Sequence, residues 1–315
     1  MKIAVMESLA VSEEKLNALK APFEAAGHTF VSYERTTDVD TLISEAEGAE
    51  AMILANMPMP AAVIEKCPDL KFIDVAFTGV DHVGLDACRK AGIKVSNASG
   101  YSNEAVPELV LGMVLSLLRN MREVEERCRS LGTKAGLVGS ELKGKTVGIV
   151  GLGNIGTRSA ELFHAFDAAV LASSRTVHAN VPDYVTQVSL DTLLQRSDIV
   201  VLHCPLTPET RGLINKEKLA LMKPSAMLIN VARGPVVVAA DLAEALRDGV
   251  IACAGIDVFD KEPALDADEP LLSAPHTLLT PHVAFATKES MDIRAEIVFE
   301  NLKAYMEGRQ INTIL

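Results

Sequence analysis

The sequence has no apolar run long enough to cross a membrane and no run rich in lysine or arginine. Its most apolar long stretch, LVLGMVLSLL at 109–118, has ten residues, whereas a membrane-spanning helix needs about 20. The formal net charge is −12, so we expect neither nucleic acid nor an anionic membrane to be the main partner. The N-terminal MKIAVMES has too short an apolar stretch for a signal peptide, and we expect it to form a first strand.

Paired cysteines are also missing. The five cysteines are an odd number, they are scattered, and no two form a C-x-x-C pair: Cys67, Cys88, Cys128, Cys204 and Cys253. We therefore expect no disulfide framework and no metal site. A reducing cytoplasm is the expected location of the protein.

The length and the pattern of the chain predict two α/β domains. A chain of 315 residues, 49% apolar and 23% charged, suits two globular domains of ordinary size. Short β-rich runs alternate with helical stretches up to about residue 97, and a second alternating series begins with TVGIVG at 146–151. This alternation predicts two doubly wound parallel sheets with helices on both faces. A long helix is expected from near Ser102, and its apolar circumference places it at a domain junction or a subunit interface.

A glycine-rich turn follows the first strand of the second series. Gly151, Gly153 and Gly156 form G-x-G-x-x-G between an apolar strand and a helix, which is the context that a dinucleotide site requires. The first glycine permits the tight turn, the second admits a pyrophosphate, and the third lets the helix pack on the strand. The helix N-terminus favours the negative charge. This turn predicts that the protein binds NAD or NADP.

The end of the next strand bears on the choice between NAD and NADP. An acidic residue about twenty positions after the glycines would bind the ribose 2′-hydroxyl of NAD. The strand AAVLASSRT instead ends in Ser174 and Arg175, which can both bond to a 2′-phosphate. NADP is favoured, and an exposed loop arginine with no cofactor role is the alternative.

Three later strand ends carry a cation, a carboxylate and an imidazole. Arg233, Glu262 and His282 follow three successive strands, and such loops line the ligand crevice of an open parallel sheet. A guanidinium holds a carboxylate by two parallel hydrogen bonds. A histidine transfers protons near neutral pH, and an adjacent carboxylate fixes its tautomer. We expect these side chains to form the redox site for a 2-hydroxyacid, and we expect Gly234 to keep the next loop open for the cofactor.

The motifs, taken in order, resemble the D-isomer-specific 2-hydroxyacid dehydrogenase family. They are GLGNIG, HCPLTPETRGLIN, LMKPSAMLINVARGPVV, GIDVFDKEP and TPHVAFAT. The resemblance implies that Arg233, Glu262 and His282 are catalytic. It also implies that Thr78 and Gly79, within FTGVDHVG, bind the substrate carboxylate through backbone N–H groups. The implied cofactor contacts, besides Ser174 and Arg175, are Gly151, Gly153, Asn154, Ile155, Gly156, His203, Cys204, Pro205, Thr210, Val231, Ala232 and Asp257.

The resemblance also implies an architecture. A flavodoxin-like substrate domain would comprise residues 1–99 and 287–315, and a Rossmann dinucleotide-binding domain would comprise residues 100–286. The helix near 102–119 and the arm that follows it would form a homodimer. Phe285 stands where the family usually has a small residue, which suggests a tighter site near the nicotinamide.

The substrate side chain is left open. A glyoxylate/hydroxypyruvate reductase-like member and a phosphoglycerate dehydrogenase-like member both fit the motifs. The latter typically carries an arginine–serine pair after the third strand, where this chain has Asn56 and Met57, so we expect a small or apolar-tailed 2-oxoacid. Formate dehydrogenase is set aside because no glutamine accompanies His282 and Glu262 is present. A nicotinamide-responsive regulatory binding protein is the alternative from another functional class.

Overall fold

The first part of the chain and its last helix belong to one unit of the computed structural model, and the middle of the chain forms another. The first unit comprises residues 1–102 and 286–315, and the second comprises residues 103–285. The structure describes residues 1–176, 179–262 and 265–315. The last residue of the GIDVFDKEP stretch, Pro263, therefore lies outside the described residues.

Short strands alternate with helices along both units. The strands are β1 (Lys2–Val5), β2 (Thr29–Ser32), β3 (Ala51–Leu54), β4 (Phe72–Val75), β5 (Lys94–Asn97), β6 (Thr146–Val150), β7 (Ala169–Ser173), β8 (Val185–Gln187), β9 (Ile199–Leu202), β10 (Met227–Asn230), β11 (Cys253–Ile256) and β12 (Thr277–Leu279). The helices are α1 (Glu13–Ala25), α2 (Val39–Ala46), α3 (Ala61–Ile64), α4 (Leu85–Ala91), α5 (Ala105–Leu118), α6 (Met121–Arg129), α7 (Asn154–Ala165), α8 (Leu190–Arg196), α9 (Lys216–Leu219), α10 (Ala239–Arg247) and α11 (Lys288–Met306).

The first unit is built on a five-stranded parallel sheet in the order β2-β1-β3-β4-β5. This is the flavodoxin-like order, in which ligands bind beyond the carboxyl ends of the strands. Strands β3 and β4 are buried along their whole length, whereas the edge strand β2 is partly exposed. The loops that follow β1 to β4 therefore meet at one edge of the sheet.

Helix α11 packs on this sheet although the whole second unit separates the two in sequence. The ring of Tyr305 stacks on Phe72 of β4, with 4.3 Å between the ring centroids. Asn301 donates from Nδ2 to Oδ1 of Asp74 at 2.9 Å. Asp74 is fully buried, and burial raises the pKa of its carboxyl well above the usual range. A protonated Asp74 carboxyl can be accommodated in this apolar sheet at lower cost than a carboxylate.

The second unit is built on a seven-stranded parallel sheet in the order β12-β11-β10-β9-β6-β7-β8. The strand order runs outward from β6 to β8 on one side and from β9 to β12 on the other. It therefore reverses between β6 and β9, where a doubly wound sheet binds its ligand. The two parallel sheets confirm the predicted fold class.

Helix α5 begins three residues after the predicted start near Ser102. Its buried face includes Val110, Met113 and Val114, and Met113 approaches Gly255 of β11. Helix α6, which follows it, has no buried residue, and the next segment exposes Leu131 at 95% and Val138 at 87%. No helix within the described ranges combines the length and the hydropathy that a membrane crossing requires.

Candidate active site

The glycine turn after β6 has the geometry that its sequence predicts. Gly151 has a φ of +100°, and a Cβ there would lie 2.7 Å from the backbone nitrogen of Cys204. A Cβ on Gly156 would lie 2.0 Å from the carbonyl oxygen of Gly151. Backbone contacts therefore require glycine at both positions, because no side chain fits there.

Gly153 lies between them, and a Cβ added there would have no heavy atom of a neighbouring residue within 4 Å. It is the N-cap of α7 and forms no side-chain cap hydrogen bond, so the first-turn N–H groups of Asn154 and Ile155 receive no acceptor from a capping side chain. Open space beside an uncapped helix N-terminus fits a pyrophosphate, which brings its own acceptor oxygens and negative charge.

Ser174 and Arg175 follow β7, the strand that pairs with β6. Ser174 donates from Oγ to the carbonyl oxygen of Thr176 at 2.7 Å, and Arg175 is exposed. A hydrogen bond from the Thr207 hydroxyl, with a smaller contribution from the charge of Arg175, lowers the pKa of Glu209. Arg175 therefore lies near the loop after β9 as well as at the end of β7.

His203 directly follows β9 and is half-buried. Its Nε2 and the Ser159 hydroxyl on α7 form a hydrogen bond of 2.8 Å. Desolvation lowers the pKa of His203 to about 3, so the imidazole is neutral near pH 7. Burial raises the pKa of the neighbouring Cys204 thiol to about 11, so both side chains are uncharged beside the glycine turn.

Thr210 closes the turn that follows Pro205. Its hydroxyl donates to the carbonyl oxygen of Pro205 at 2.6 Å and accepts from the backbone N–H of Thr207 at 2.8 Å. The structure thus assigns Thr210 a role in shaping the loop between β9 and α9.

The loop after β10 is held by Asn230, which is 1% exposed. Asn230 donates from Nδ2 to the carbonyl oxygen of Arg233 at 3.0 Å and accepts at Oδ1 from Ala232 N–H at 3.1 Å. Val231 and Ala232 are buried, and Arg233 Nη1 donates to the carbonyl oxygen of Ala232 at 2.8 Å. These bonds fix the backbone from which the half-buried Arg233 side chain extends.

The expectation that Gly234 keeps this loop open is wrong. A Cβ on Gly234 would lie 2.1 Å from the carbonyl carbon of Phe259. Glycine is required here because the backbone after β11 presses against it. This close approach also ties the Arg233 loop to the loop that carries Glu262.

Glu262 and His282 lie side by side at the ends of β11 and β12. Nδ1 of His282 is hydrogen-bonded to Oε2 of Glu262, and Oε1 of Glu262 accepts from Phe259 N–H at 2.8 Å. The side chains are 17% and 23% exposed for His282 and Glu262, respectively. The bond from Nδ1 to the carboxylate fixes the orientation of the imidazole ring.

Asp257 holds the turn that carries His282. It is fully buried, and its carboxylate accepts from Thr280 Oγ1 at 2.6 Å and from the backbone N–H groups of Val283 and Ala284 at 2.9 Å each. Burial raises the pKa of Asp257, and these hydrogen bonds oppose the shift. His282 itself has a φ of +54°, a conformation that non-glycine residues adopt only where the surroundings enforce it.

Phe285 contacts the catalytic candidate directly. Its ring meets the imidazole of His282 edge-on, with 5.4 Å between centroids and an interplanar angle of 87°. The large residue predicted to tighten the nicotinamide region therefore packs against the histidine.

In the first unit, Thr78 and Gly79 follow β4. Asn97 of β5 donates from Nδ2 to the carbonyl oxygen of Thr78 at 2.7 Å, while the Thr78 side chain remains exposed. The loop is thereby anchored to the sheet at the carboxyl edge.

Sequence reasoning missed a charged cluster at this same edge. Glu7, two residues after the end of β1, forms an ion pair of 2.6 Å with Arg35, after β2. Arg35 also donates to Asn56, after β3, at 2.7 Å. Met57, expected in the substrate region, is fully buried. The sequence does show that each of these polar residues lies near a strand end. Which of them pair depends on the order of the strands in the sheet.

Within the described ranges, no three His, Cys, Asp or Glu side chains gather where they could hold a metal ion. The five cysteines are free thiols.

Known proteins match both halves of this chain. The family described as D-isomer specific 2-hydroxyacid dehydrogenase, NAD binding domain, matches residues 111–284. A hydroxypyruvate reductase of Blautia hydrogenotrophica is 33% identical over 100% of this chain and 99% of its own length. A glyoxylate reductase of Thermofilum pendens is 40% identical over 85% of this chain and 82% of its own length.

Solved structures agree. A D-lactate dehydrogenase from Aquifex aeolicus complexed with NAD and lactic acid has a TM-score of 0.86 at 28% identity, over 98% of this chain and 96% of its own. An acyclic imino acid reductase in complex with NADPH and D-Arg has a TM-score of 0.91 at 26% identity, over 100% of both chains. The chain thus belongs to the D-isomer specific 2-hydroxyacid dehydrogenase family and is an NAD(P)-dependent oxidoreductase of 2-hydroxyacids.

Proposed function

We propose that this protein reduces a small 2-oxoacid to its D-2-hydroxyacid, with His282 and Glu262 as the acid/base pair and Arg233 as the carboxylate ligand. The observation that carries the proposal is the hydrogen bond between His282 Nδ1 and Glu262 Oε2, next to the strand that presents Arg233. The hydroxypyruvate and glyoxylate reductases among its relatives support this substrate class.

The second sheet holds the nicotinamide cofactor in this proposal, because its glycine turn has the open helix N-terminus that a pyrophosphate requires. When bound, the cofactor supplies the hydride for carbon 2 of the substrate. The residues proposed to hold it are Gly151, Gly153, Asn154, Ile155, Gly156, His203, Cys204, Pro205, Thr210, Val231, Ala232 and Asp257.

The proton reaches the substrate through the histidine. His282 donates it from Nε2 to the carbonyl oxygen, and the positive charge on the imidazolium is lost in the step. Glu262 holds the hydrogen on Nδ1, so only Nε2 exchanges its proton. The Glu262 carboxylate is itself fixed by Phe259 N–H, which keeps the pair aligned.

The substrate carboxylate is bound by charge and by backbone donors. Arg233 grips it with two parallel N–H···O bonds, which orient the carbonyl as well as attract it. The N–H groups of Thr78 and Gly79 are the proposed backbone donors.

NADP is the preferred cofactor in this proposal. No acidic residue directly follows β7 in the sequence, where one would repel a 2′-phosphate, and Arg175 is exposed there. A 2′-phosphate would form charge-assisted hydrogen bonds with the Arg175 guanidinium, and Ser174 would add a hydroxyl contact.

The phosphoglycerate dehydrogenase alternative is not favoured. Among the described residues, one arginine at the carboxyl edge of the first sheet contacts Asn56, and it is Arg35. Arg35 is already paired with Glu7. The hydroxypyruvate reductase and the glyoxylate reductase compared above are named for unphosphorylated substrates.

A substrate screen tests the proposed function. Glyoxylate, hydroxypyruvate, pyruvate and longer or aromatic 2-oxoacids are each assayed with NADH and with NADPH. We expect turnover of one or more of the small 2-oxoacids. Cofactor binding without turnover of any of them would favour the regulatory binding protein instead.

We further assign the first unit's residues 1–99 and 287–315 to a substrate domain and residues 100–286 to a dinucleotide-binding domain, in a cytoplasmic homodimer. The exposed Leu131 and Val138 after α6 support the dimer, because burial of apolar surface in a subunit interface is favourable. Light scattering of Leu131→Asp with Val138→Asp should show a shift from dimer to monomer.

The exposed free thiol of Cys128 suits a reducing compartment.

A further inference from the structure

The proposed reaction leaves one charged cluster at the carboxyl edge of the first sheet unused. Glu7 is 6% exposed, and its Oε1 accepts from the backbone N–H groups of Ala55 and Met57 at 2.8 Å each. Its Oε2 accepts from Arg35 Nη1 at 2.6 Å. The buried carboxylate therefore fixes the loop after β3, and Arg35 supplies the opposite charge that such burial requires.

Arg35 also sets the orientation of Asn56. Nη1 of Arg35 donates to Oδ1 of Asn56 at 2.7 Å, so Asn56 offers its Nδ2 hydrogens as donors. The Arg35 side chain is 30% exposed. Both of its hydrogen bonds use Nη1, so within the part of the chain that the structure describes, Nε and Nη2 are further donors. The cluster therefore contains N–H groups besides the ones that these hydrogen bonds use.

This cluster adjoins the loop proposed to bind the substrate carboxylate. Asn56 follows β3 and Thr78 follows β4. These strands are hydrogen-bonded neighbours, so the two strand axes are about 4.8 Å apart. In a 2-oxoacid, two carbon–carbon bonds of about 1.5 Å each separate the carboxylate carbon from carbon 3. If the carboxylate is held at the end of β4, a substituent on carbon 3 can therefore reach the end of the neighbouring strand β3.

The charges decide which substituent fits. The Glu7 carboxylate neutralises the charge of Arg35. A second anionic group on the substrate would therefore be repelled by that carboxylate. An alkyl or aromatic tail would cover N–H donors without bonding to them, which carries a desolvation cost. A hydroxyl offers the donors an acceptor and brings no charge.

We infer that Arg35 and Asn56, held by Glu7, are specificity-determining residues that select 2-oxoacids with a hydroxyl on carbon 3. This inference rests on the proposed 2-oxoacid reductase function. It narrows the expectation of a small or apolar-tailed 2-oxoacid, because Met57 is fully buried whereas Arg35 contacts Asn56.

The experiment compares kcat/KM for hydroxypyruvate and pyruvate, which differ by that one hydroxyl. We expect the wild type to favour hydroxypyruvate at least about tenfold, since a site built to bond a hydroxyl discriminates against its absence. Arg35→Met and, separately, Asn56→Ala should each lower the hydroxypyruvate value about tenfold and leave the pyruvate value within about twofold.

Arg89→Met is the matched control. Arg89 lies in the last turn of α4, away from the carboxyl edge, in an exposed pair with Asp86, so its removal should leave the substrate ratio unchanged. Pyruvate turnover monitors folding within each variant. If Arg35→Met fails to fold because Glu7 loses its cation, Asn56→Ala decides, since it leaves the Glu7–Arg35 pair in place.

Two results overturn the inference alone: a wild type that reduces both acids but prefers pyruvate, or variants that leave the ratio unchanged. A wild type that binds cofactor and reduces no 2-oxoacid overturns the proposed function, and the inference with it.

Discussion

The two parallel sheets build their carboxyl edges in different ways. In the second sheet, the candidate residues lie on short contiguous motifs, and two of the loops are shaped in part by hydrogen bonds between residues a few positions apart. Asn230 bonds across its own loop, and Glu262 bonds to Phe259 N–H. In the first sheet, Glu7, Arg35 and Asn56 come from three separate strand ends. Local sequence therefore specifies the proposed chemistry, whereas strand order specifies the proposed substrate choice.

This contrast predicts two kinds of variant. A change at the second sheet's edge should affect turnover of every 2-oxoacid, because it acts on the proton, the carboxylate or the cofactor. A change in the Arg35 cluster should alter the ratio between substrates that differ at carbon 3.

The largest effect is expected from His282→Ala. Loss of the proton donor should lower kcat for all 2-oxoacids by about 10²–10⁴, and the Kd for NADPH, measured by fluorescence titration, should stay close to that of the wild type. His164→Ala, which changes an exposed histidine on α7, is the control. Near-wild-type turnover in His282→Ala would remove the histidine from the mechanism.

Arg233→Lys should have the next largest effect. Lysine keeps the charge and loses the planar fork, so kcat/KM should fall about 10- to 100-fold for every 2-oxoacid, with both kcat and KM affected. Arg247→Lys, an exposed change at the end of α10, is the control. If steady-state kinetics show that kcat and KM are both unchanged, Arg233 is a structural residue and does not bind the substrate carboxylate.

The cofactor preference gives a third comparison. The wild type should show a higher kcat/KM with NADPH than with NADH, and Ser174→Asp combined with Arg175→Ala should reverse that order, with a change of about 10- to 100-fold in the ratio. Arg196→Ala controls for loss of a surface charge. A wild type that prefers NADH, or a double variant with an unchanged ratio, would show that these residues do not select the ribose.

The smallest effects are expected from alanine substitutions at Gly153 and Gly151, which should differ in how they change stability and cofactor affinity. Gly153→Ala should leave the free energy of unfolding within about 0.5 kcal/mol and raise the Kd for NADPH about tenfold, because the added methyl lies where the pyrophosphate approaches. Gly151→Ala should lower the free energy of unfolding by about 1–3 kcal/mol, because its φ is positive. Denaturant titration and cofactor titration check both, and equal stability losses would contradict the distinction.

The sequence predicted the α/β class, the two parallel sheets and the family, because each depends on local patterns. Alternation of apolar runs with helical periodicity identifies a parallel sheet, and a glycine turn between a strand and a helix identifies a dinucleotide site. The strand-end positions of Arg233, Glu262 and His282 were visible in the same way.

Tertiary structure decided what these residues contact. The approach of Phe259 explains why position 234 is glycine, and the bonds from Thr280, Val283 and Ala284 explain how Asp257 holds the His282 turn. The pairing of Glu7, Arg35 and Asn56 could not be predicted from the sequence, because it depends on β2 and β3 lying on either side of β1. Local patterns determine which elements form, but side chains from distant strands meet only where the strand order brings them together.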